Sequence, residues 1–209
     1  MSMLRSTTKG AEMKRILSTL CLTILLVSSG VCWSADFLKG RDAYEREDYA
    51  TALKEWTPLA ELGYAAAQYN LAQMYRTGQG VTQDYKTAVK WYTPAAEQGI
   101  ALAQANLAQM YRKGQGVSQD DKTSVNWYTL AAEQGHALAQ YNLGVMYGNG
   151  KGVTQDNVYA HMWWDIAASS GDENASENRD RVEEMMTPAE ISAAQKLTRE
   201  CVKRNYKGC

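Results

Sequence analysis

The sequence predicts an all-α fold, an α/α superhelical solenoid of helix-turn-helix repeats, and three observations carry that prediction. The chain aligns with itself at an offset of 36 residues, without a gap, from Ala67 to Gly171. Each copy holds two stretches with apolar residues at helical spacing, separated by glycines. The aromatic balance is lopsided, thirteen tyrosines and six tryptophans against one phenylalanine, as expected when a few aromatic positions are duplicated.

The first element is a leader. From Met13 the chain reads Lys14-Arg15, an apolar core from Ile16 to Val27, and small residues around Gly30 to Ala35, the layout of a secretory signal peptide. Its apolar core of 12 residues falls short of the roughly 20 that span a bilayer, so residues 1–35 are expected to be cleaved after Ser34 or Ala35, leaving no stable membrane insertion. Met13 is a second candidate start. Removing Arg5, Lys9, Lys14, Arg15 and Glu12 leaves 18 basic and 22 acidic side chains, a net −4 against −1 for the whole chain. That balance lacks the basic footprint of a nucleic-acid partner and mildly favours a basic ligand.

Residues 36–63 read as a shorter, looser unit in the repeat frame, a capping half-repeat in which Trp56 aligns with Tyr92, Ala60 with Ala96 and Gly63 with Gly99. Residues 64–171 hold three copies. Ala67-Gln68-x-Asn70-Leu71, Met74-Tyr75, Gly78-x-Gly80-Val81, Gln83-Asp84, Trp91 and Ala95-Ala96 all recur at the 36-residue offset. Residues 67–102 and 103–138 agree at 28 of 36 positions, whereas the third copy agrees with the second at 15, the drift expected of a terminal repeat. Leu71, Met74, Tyr75 and Gly78 mark one face of a first helix; Ala88, Trp91, Tyr92, Ala95 and Ala96 mark one face of a second. Gly78 falls where a helix ends in a left-handed residue, and Asp84 where a carboxylate caps the next helix. The paired alanines let helices approach closely around a Trp-Tyr plug.

Residues 172–209 are expected to cap the open end. Arg179 to Met186 is helical in composition, and Thr187-Pro188-x-Glu190 is a capping-box start for a sided helix marked by Ile191, Ala194, Leu197, Thr198 and Cys201. Two of the four cysteines lie in the leader. Cys201 and Cys209 remain, and an exported chain would join them as a tail disulfide.

The pattern A-Q-x-N-L-x-x-M-Y-x-x-G-x-G-V-x-Q-D, followed by W-Y-x-x-A-A-x-x-G, resembles the Sel-one-like repeat, a branch of the tetratricopeptide superfamily, over about residues 36–171. The ending R-D-x-V…M-T-P-A-E-I-x-x-A-Q-K-L is similar to the segment that follows the last repeat in bacterial members. The resemblance implies a right-handed superhelix that serves as an adaptor in signalling, envelope or host-interaction complexes. It departs from the pattern in the third copy, where Gln73/Gln109 becomes Val145, Arg76/Arg112 becomes Gly148 and Tyr92/Tyr128 becomes Trp164.

If the first helices line a concave surface, as the resemblance implies, positions 69, 73 and 76 project on one side. Tyr69, Gln73 and Arg76, with Gln109 and Arg112 in the second copy, form the candidate groove. A pair of guanidinium groups suits a peptide carboxylate, which it can grip in a two-pronged fork. Asn70, Asn106 and Asn142 sit beside core leucines, where bonding to an adjacent turn is favoured over clamping a ligand.

No catalytic residue, metal ligand or cofactor is expected. The repeated Gly-x-Gly follows no strand, so it is not a nucleotide fingerprint. His136 and His161 lack metal-ligand partners at useful spacing. The one S-x-x-K match, Ser6 to Lys9, lies in the leader. The expectation is a periplasmic or secreted scaffold with a protein or peptide partner. A secreted effector engaging a host protein is the alternative, and a cell-wall or β-lactam hydrolase a remote one.

Overall fold

The computed structural model describes residues 36–209, so the leader, its cleavage site, Met13 and the Ser6–Lys9 match lie outside the described residues. The described residues are helical with no strand. They fall into two compact units, the first ending at Leu59 and the second spanning Ala60–Cys209.

In the first unit, α1 (residues 36–45) and α2 (Tyr49–Glu61, most of which belongs here) form a helix pair around Trp56, only 2% exposed. The indole Nε1 donates to the Phe37 carbonyl at 3.2 Å, and Tyr44 packs against the ring at a centroid distance of 5.5 Å. Gly40 makes room for it: a Cβ there would lie 2.5 Å from the indole nitrogen. Asp48 accepts from the Thr51 amide at 3.1 Å and so caps α2, the role foreseen for Asp84 in the repeats. This unit is thus a full helix pair with a shortened turn.

The second unit carries the repeats. Its helices are α3 (Ala65–Thr77), α4 (Tyr85–Glu97), α5 (Ala101–Lys113), α6 (Asp121–Ala132), α7 (Ala137–Asn149), α8 (Asn157–Ser169), α9 (Glu173–Glu183) and α10 (Pro188–Lys203). Each first helix packs on the second helix of its own copy, and each second helix on the next first helix, so the helix pairs stack in sequence. Ala67, Leu71 and Met74 with their counterparts Ala103, Leu107, Met110, Ala139, Leu143 and Met146 are buried.

The turns follow one rule in all three copies. Gly78, Gly114 and Gly150 end their helices in the left-handed region, and the amides of Asp84, Asp120 and Asp156 return to the carbonyls of Tyr75, Tyr111 and Tyr147. Each of these aspartates then caps the following helix. Gly116 and Gly152 set the spacing between copies. Both have positive φ, and a Cβ on either would come within 2.3 Å of a backbone carbonyl oxygen of the preceding copy, that of Tyr85 or Asp121.

The repeated glutamines are stacking staples. The side-chain amides of Gln68, Gln104 and Gln140 donate to the carbonyls of Ala60, Ala96 and Ala132 at 3.0, 3.0 and 3.2 Å. Gln98 and Gln134 donate in turn to the Gln68 and Gln104 side-chain oxygens at 2.9 and 2.8 Å. Ser170 occupies the corresponding place in the third copy, and the buried Gln140 oxygen there has no partner. Asn142 donates to the Leu138 carbonyl one turn back at 2.7 Å.

Beyond the third copy the frame runs further than the sequence suggested. The helix anticipated at Arg179 to Met186 is α9, which begins at Glu173 under an Asp172 cap. Ala175 and Asn178 fall at the 36-residue offset from Ala139 and Asn142, so α9 is the first helix of an incomplete fourth copy. Its early start was hidden because little else of the repeat pattern survives there. Thr187 and Glu190 form the expected capping box, and α10 packs on α8 with Ala194 and Cys201 buried. Cys201 and Cys209 are disulfide-bonded, and the tail they close lies at the end of α6, where the Gly208 amide donates to Glu133 at 2.8 Å.

Candidate interaction surface

Tyr92 lies at the centre of the first copy's candidate groove. The second helix presents this side chain, buried with Ala72, Ala88 and Ala95, so that its hydroxyl reaches the first helix at positions 73 and 76. Arg76 Nε donates to Gln73 Oε1 at 2.8 Å and to the Tyr92 hydroxyl at 3.2 Å, while that hydroxyl donates to Gln73 Oε1. The Tyr69 ring stands 6.0 Å from that of Tyr92. Tyr69, Gln73 and Arg76 are therefore brought together, all half-buried, around one buried hydroxyl. Arg76 spends Nε inward and keeps its two terminal nitrogens.

The second copy keeps the glutamine, arginine and tyrosine but differs at position 105 and in its hydrogen bonding. Ala105 stands where Tyr69 does, and is buried. Burial pushes the Tyr128 hydroxyl above its ordinary pKa, and the nearby charge of Arg112 pulls it part of the way back. Arg112 Nε is buried without a partner, and Gln109 is half-buried beside it in the row.

The third copy changes the chemistry. Trp164 replaces the tyrosine, and a Cβ at Gly144 or Gly148 would come within 2.5 or 3.0 Å of its indole. Val145 and Gly148 supply neither amide nor guanidinium. A cavity of about 340 Å³ lies at this station, between α7, α8 and α9. The departures at 144, 145, 148 and 164 are one coupled change; read singly in the sequence, they do not disclose the cavity.

Trp91 and Trp127 are only partly buried, and Lys90 lies over the Trp91 ring at 5.4 Å, so the tyrosines rather than the tryptophans fill the first two copies. Trp163, by contrast, is 2% exposed. His161 is buried, with Nε2 2.6 Å from Glu183 Oε1, and Arg179 bridges Asp165 and Asp180 at 3.3 and 2.7 Å. These contacts tie α9 to α8. His136 caps α7 through Nδ1, and burial holds its pKa below the ordinary value. Among the described residues no three His, Cys, Asp or Glu side chains are grouped so as to hold a metal ion, and no helix is long and apolar enough to cross a membrane.

Comparison with known proteins agrees with this construction. The Sel1 repeat matches residues 65–100, 101–136 and 137–172. The chain is similar to a solved Sel1 repeat protein from Oxalobacter formigenes, at 35% identity and a TM-score of 0.65, over 68% of this chain and 59% of that one. It is also similar to c5321, a protective antigen of uropathogenic Escherichia coli strains with an SLR fold, at 28% identity and a TM-score of 0.52, over 83% of this chain and 46% of that one. The chain thus spans about half the length of these relatives. Among curated proteins there is no match. With three contiguous copies covering more than half of its residues, the chain belongs to the Sel1 repeat family.

Proposed function

We propose that this protein is an exported, non-enzymatic interaction scaffold, periplasmic or secreted, which receives a peptide or protein segment across the first helices of its repeats. The observation that carries this reading is the state of Arg76. Tyr92 and Gln73 hold Arg76 in place through Nε, so the terminal nitrogens are left for a carboxylate or a backbone carbonyl of a partner. Arg112 occupies the same position one copy on, beside Tyr128. A guanidinium group already held in place, as that of Arg76 is, loses little further freedom on binding, which favours association.

Support for export comes from the leader-like residues 1–35 and from the tail disulfide, which suits an oxidising compartment. The similarity to c5321 points the same way, since a protective antigen must be reachable by the immune system.

Capture of partners from an envelope extract by the purified chain tests the reading. Replacing both arginines, Arg76→Ala with Arg112→Ala, is expected to reduce capture at least tenfold while far-UV circular dichroism stays unchanged. The pair Arg76→Lys and Arg112→Lys, which keeps charge but loses the fork, is expected to fall in between. Unaltered capture by the alanine pair would overturn the groove.

A further inference from the structure

The third station of the row is a cavity because the repeat's own side chain is missing from it. In the first copy Arg76 covers the hydroxyl of Tyr92. At the same place in the third, Gly148 leaves the Trp164 indole as a floor, with Val145 and Val182 beside it and Met185, 68% exposed, at the rim. The cavity is half open, and its volume of about 340 Å³ is at the lower end of the roughly 300–1,000 Å³ of ligand pockets, so it suits a single large apolar side chain rather than an extended segment.

The polar groups around this floor are of two kinds. Asn149 and Asn178 donate their amide hydrogens within the protein, to the Val145 carbonyl at 2.7 Å and the Tyr141 hydroxyl at 3.3 Å, leaving their oxygens as acceptors. Asn157 offers both donor and acceptor. The one charged residue of the lining is Arg181, in the last turn of α9, exposed and without an ion-pair partner among the described residues.

We infer that this cavity binds the C-terminal residue of a partner chain, an apolar residue such as leucine whose side chain rests on Trp164 and whose free carboxylate meets Arg181. A terminal residue carries its carboxylate and its side chain on the same Cα, so one residue can satisfy both features of a cavity this small. Its backbone N–H is a donor for the asparagine oxygens. An internal acidic residue would bring charge without apolar bulk. The inference rests on the scaffold reading for the kind of partner, but it uses none of Arg76, Arg112 or Gln73.

Fluorescence anisotropy on the full mature chain decides it, with dye-labelled Gly-Gly-Ser-Gly-Ser-Leu as probe. The free acid is expected to bind at least tenfold more tightly than the C-terminal amide. Arg181→Gln should abolish that preference and Arg181→Lys should retain part of it; Met185→Glu, which places a negative charge at the rim, should weaken the acid alone. Both positions are exposed, so neither change threatens the fold. Equal binding of acid and amide, or a preference that survives Arg181→Gln, would overturn the inference. So would competition by N-acetyl-leucine at the concentration needed for the peptide, which would assign the cavity to small free acids. Binding of the acid by the Arg76→Ala, Arg112→Ala chain is expected to be intact, so failure of the groove and failure of the cavity are told apart.

Discussion

In the first two copies a buried tyrosine, Tyr92 or Tyr128, shares its core cluster with an alanine of the first helix, Ala72 or Ala108, and stands beside an arginine. In the third copy Trp164 packs into space opened by Gly144 and Gly148, with no arginine above it. The N-terminal helix pair matches the third copy rather than its neighbours in sequence, since Trp56 packs into space opened by Gly40. A larger second-helix aromatic thus goes with a glycine on the first helix in both places. The first two copies combine the small plug with a polar row; the third combines the large plug with loss of that row.

The strongest way to break this comparison is to put the alanine of the first two copies into the third. Gly144→Ala is expected to destabilise the chain by about 1–3 kcal/mol in thermal or chemical unfolding, because the new methyl group would overlap the indole. Adding Trp164→Tyr should restore most of the loss. If the double variant is no more stable than Gly144→Ala alone, glycine and tryptophan are not coupled.

A smaller effect concerns the glutamine staples. Ser170→Gln in the third copy is expected to give the orphaned Gln140 oxygen the partner that Gln98 and Gln134 provide elsewhere, raising stability by about 1 kcal/mol, or about 2–4 °C in melting temperature. No rise would show that this buried oxygen is satisfied by solvent.

The smallest effect is electrostatic. Side-chain and backbone hydrogen bonds from Thr87 and Thr123 hold the Asp84 and Asp120 carboxyl groups below their ordinary pKa. A depressed folded-state pKa gives stability that is present above the unfolded value and is lost as pH falls through the folded one. Melting temperature should therefore drop on acidification below the ordinary carboxylate pKa, and Asp84→Asn with Asp120→Asn should flatten that drop. In the third copy Tyr159 stands in place of these threonines, and only backbone amides reach Asp156.

Much of the fold was legible because the repeat copies the residues that build turns and core. The glycine helix ends, the aspartate caps, the capping box at Thr187 and the buried leucine–methionine rows all follow from spacing alone. The staples were less legible. Gln68 and Gln98 recur visibly, but that one donates to the other depends on helices 30 residues apart in the chain. The start of α9 was missed because a single alanine and a single asparagine keep the frame there. Within the candidate surface, spacing placed Tyr69, Gln73 and Arg76 on one side, yet only the fold shows that Tyr92 gathers them. The cavity was least legible of all, since it arises from side chains that are absent.

Site-specific cross-linking tests the recognition surface most directly. A photo-reactive residue is placed at Gln109, in the first-helix row, or at Lys90, exposed on a second helix, and each chain is irradiated with an envelope extract. Partner adducts are expected from Gln109 and not from Lys90. Adducts from Lys90 with none from Gln109 would contradict recognition by the first helices and place it on the opposite layer of the stack.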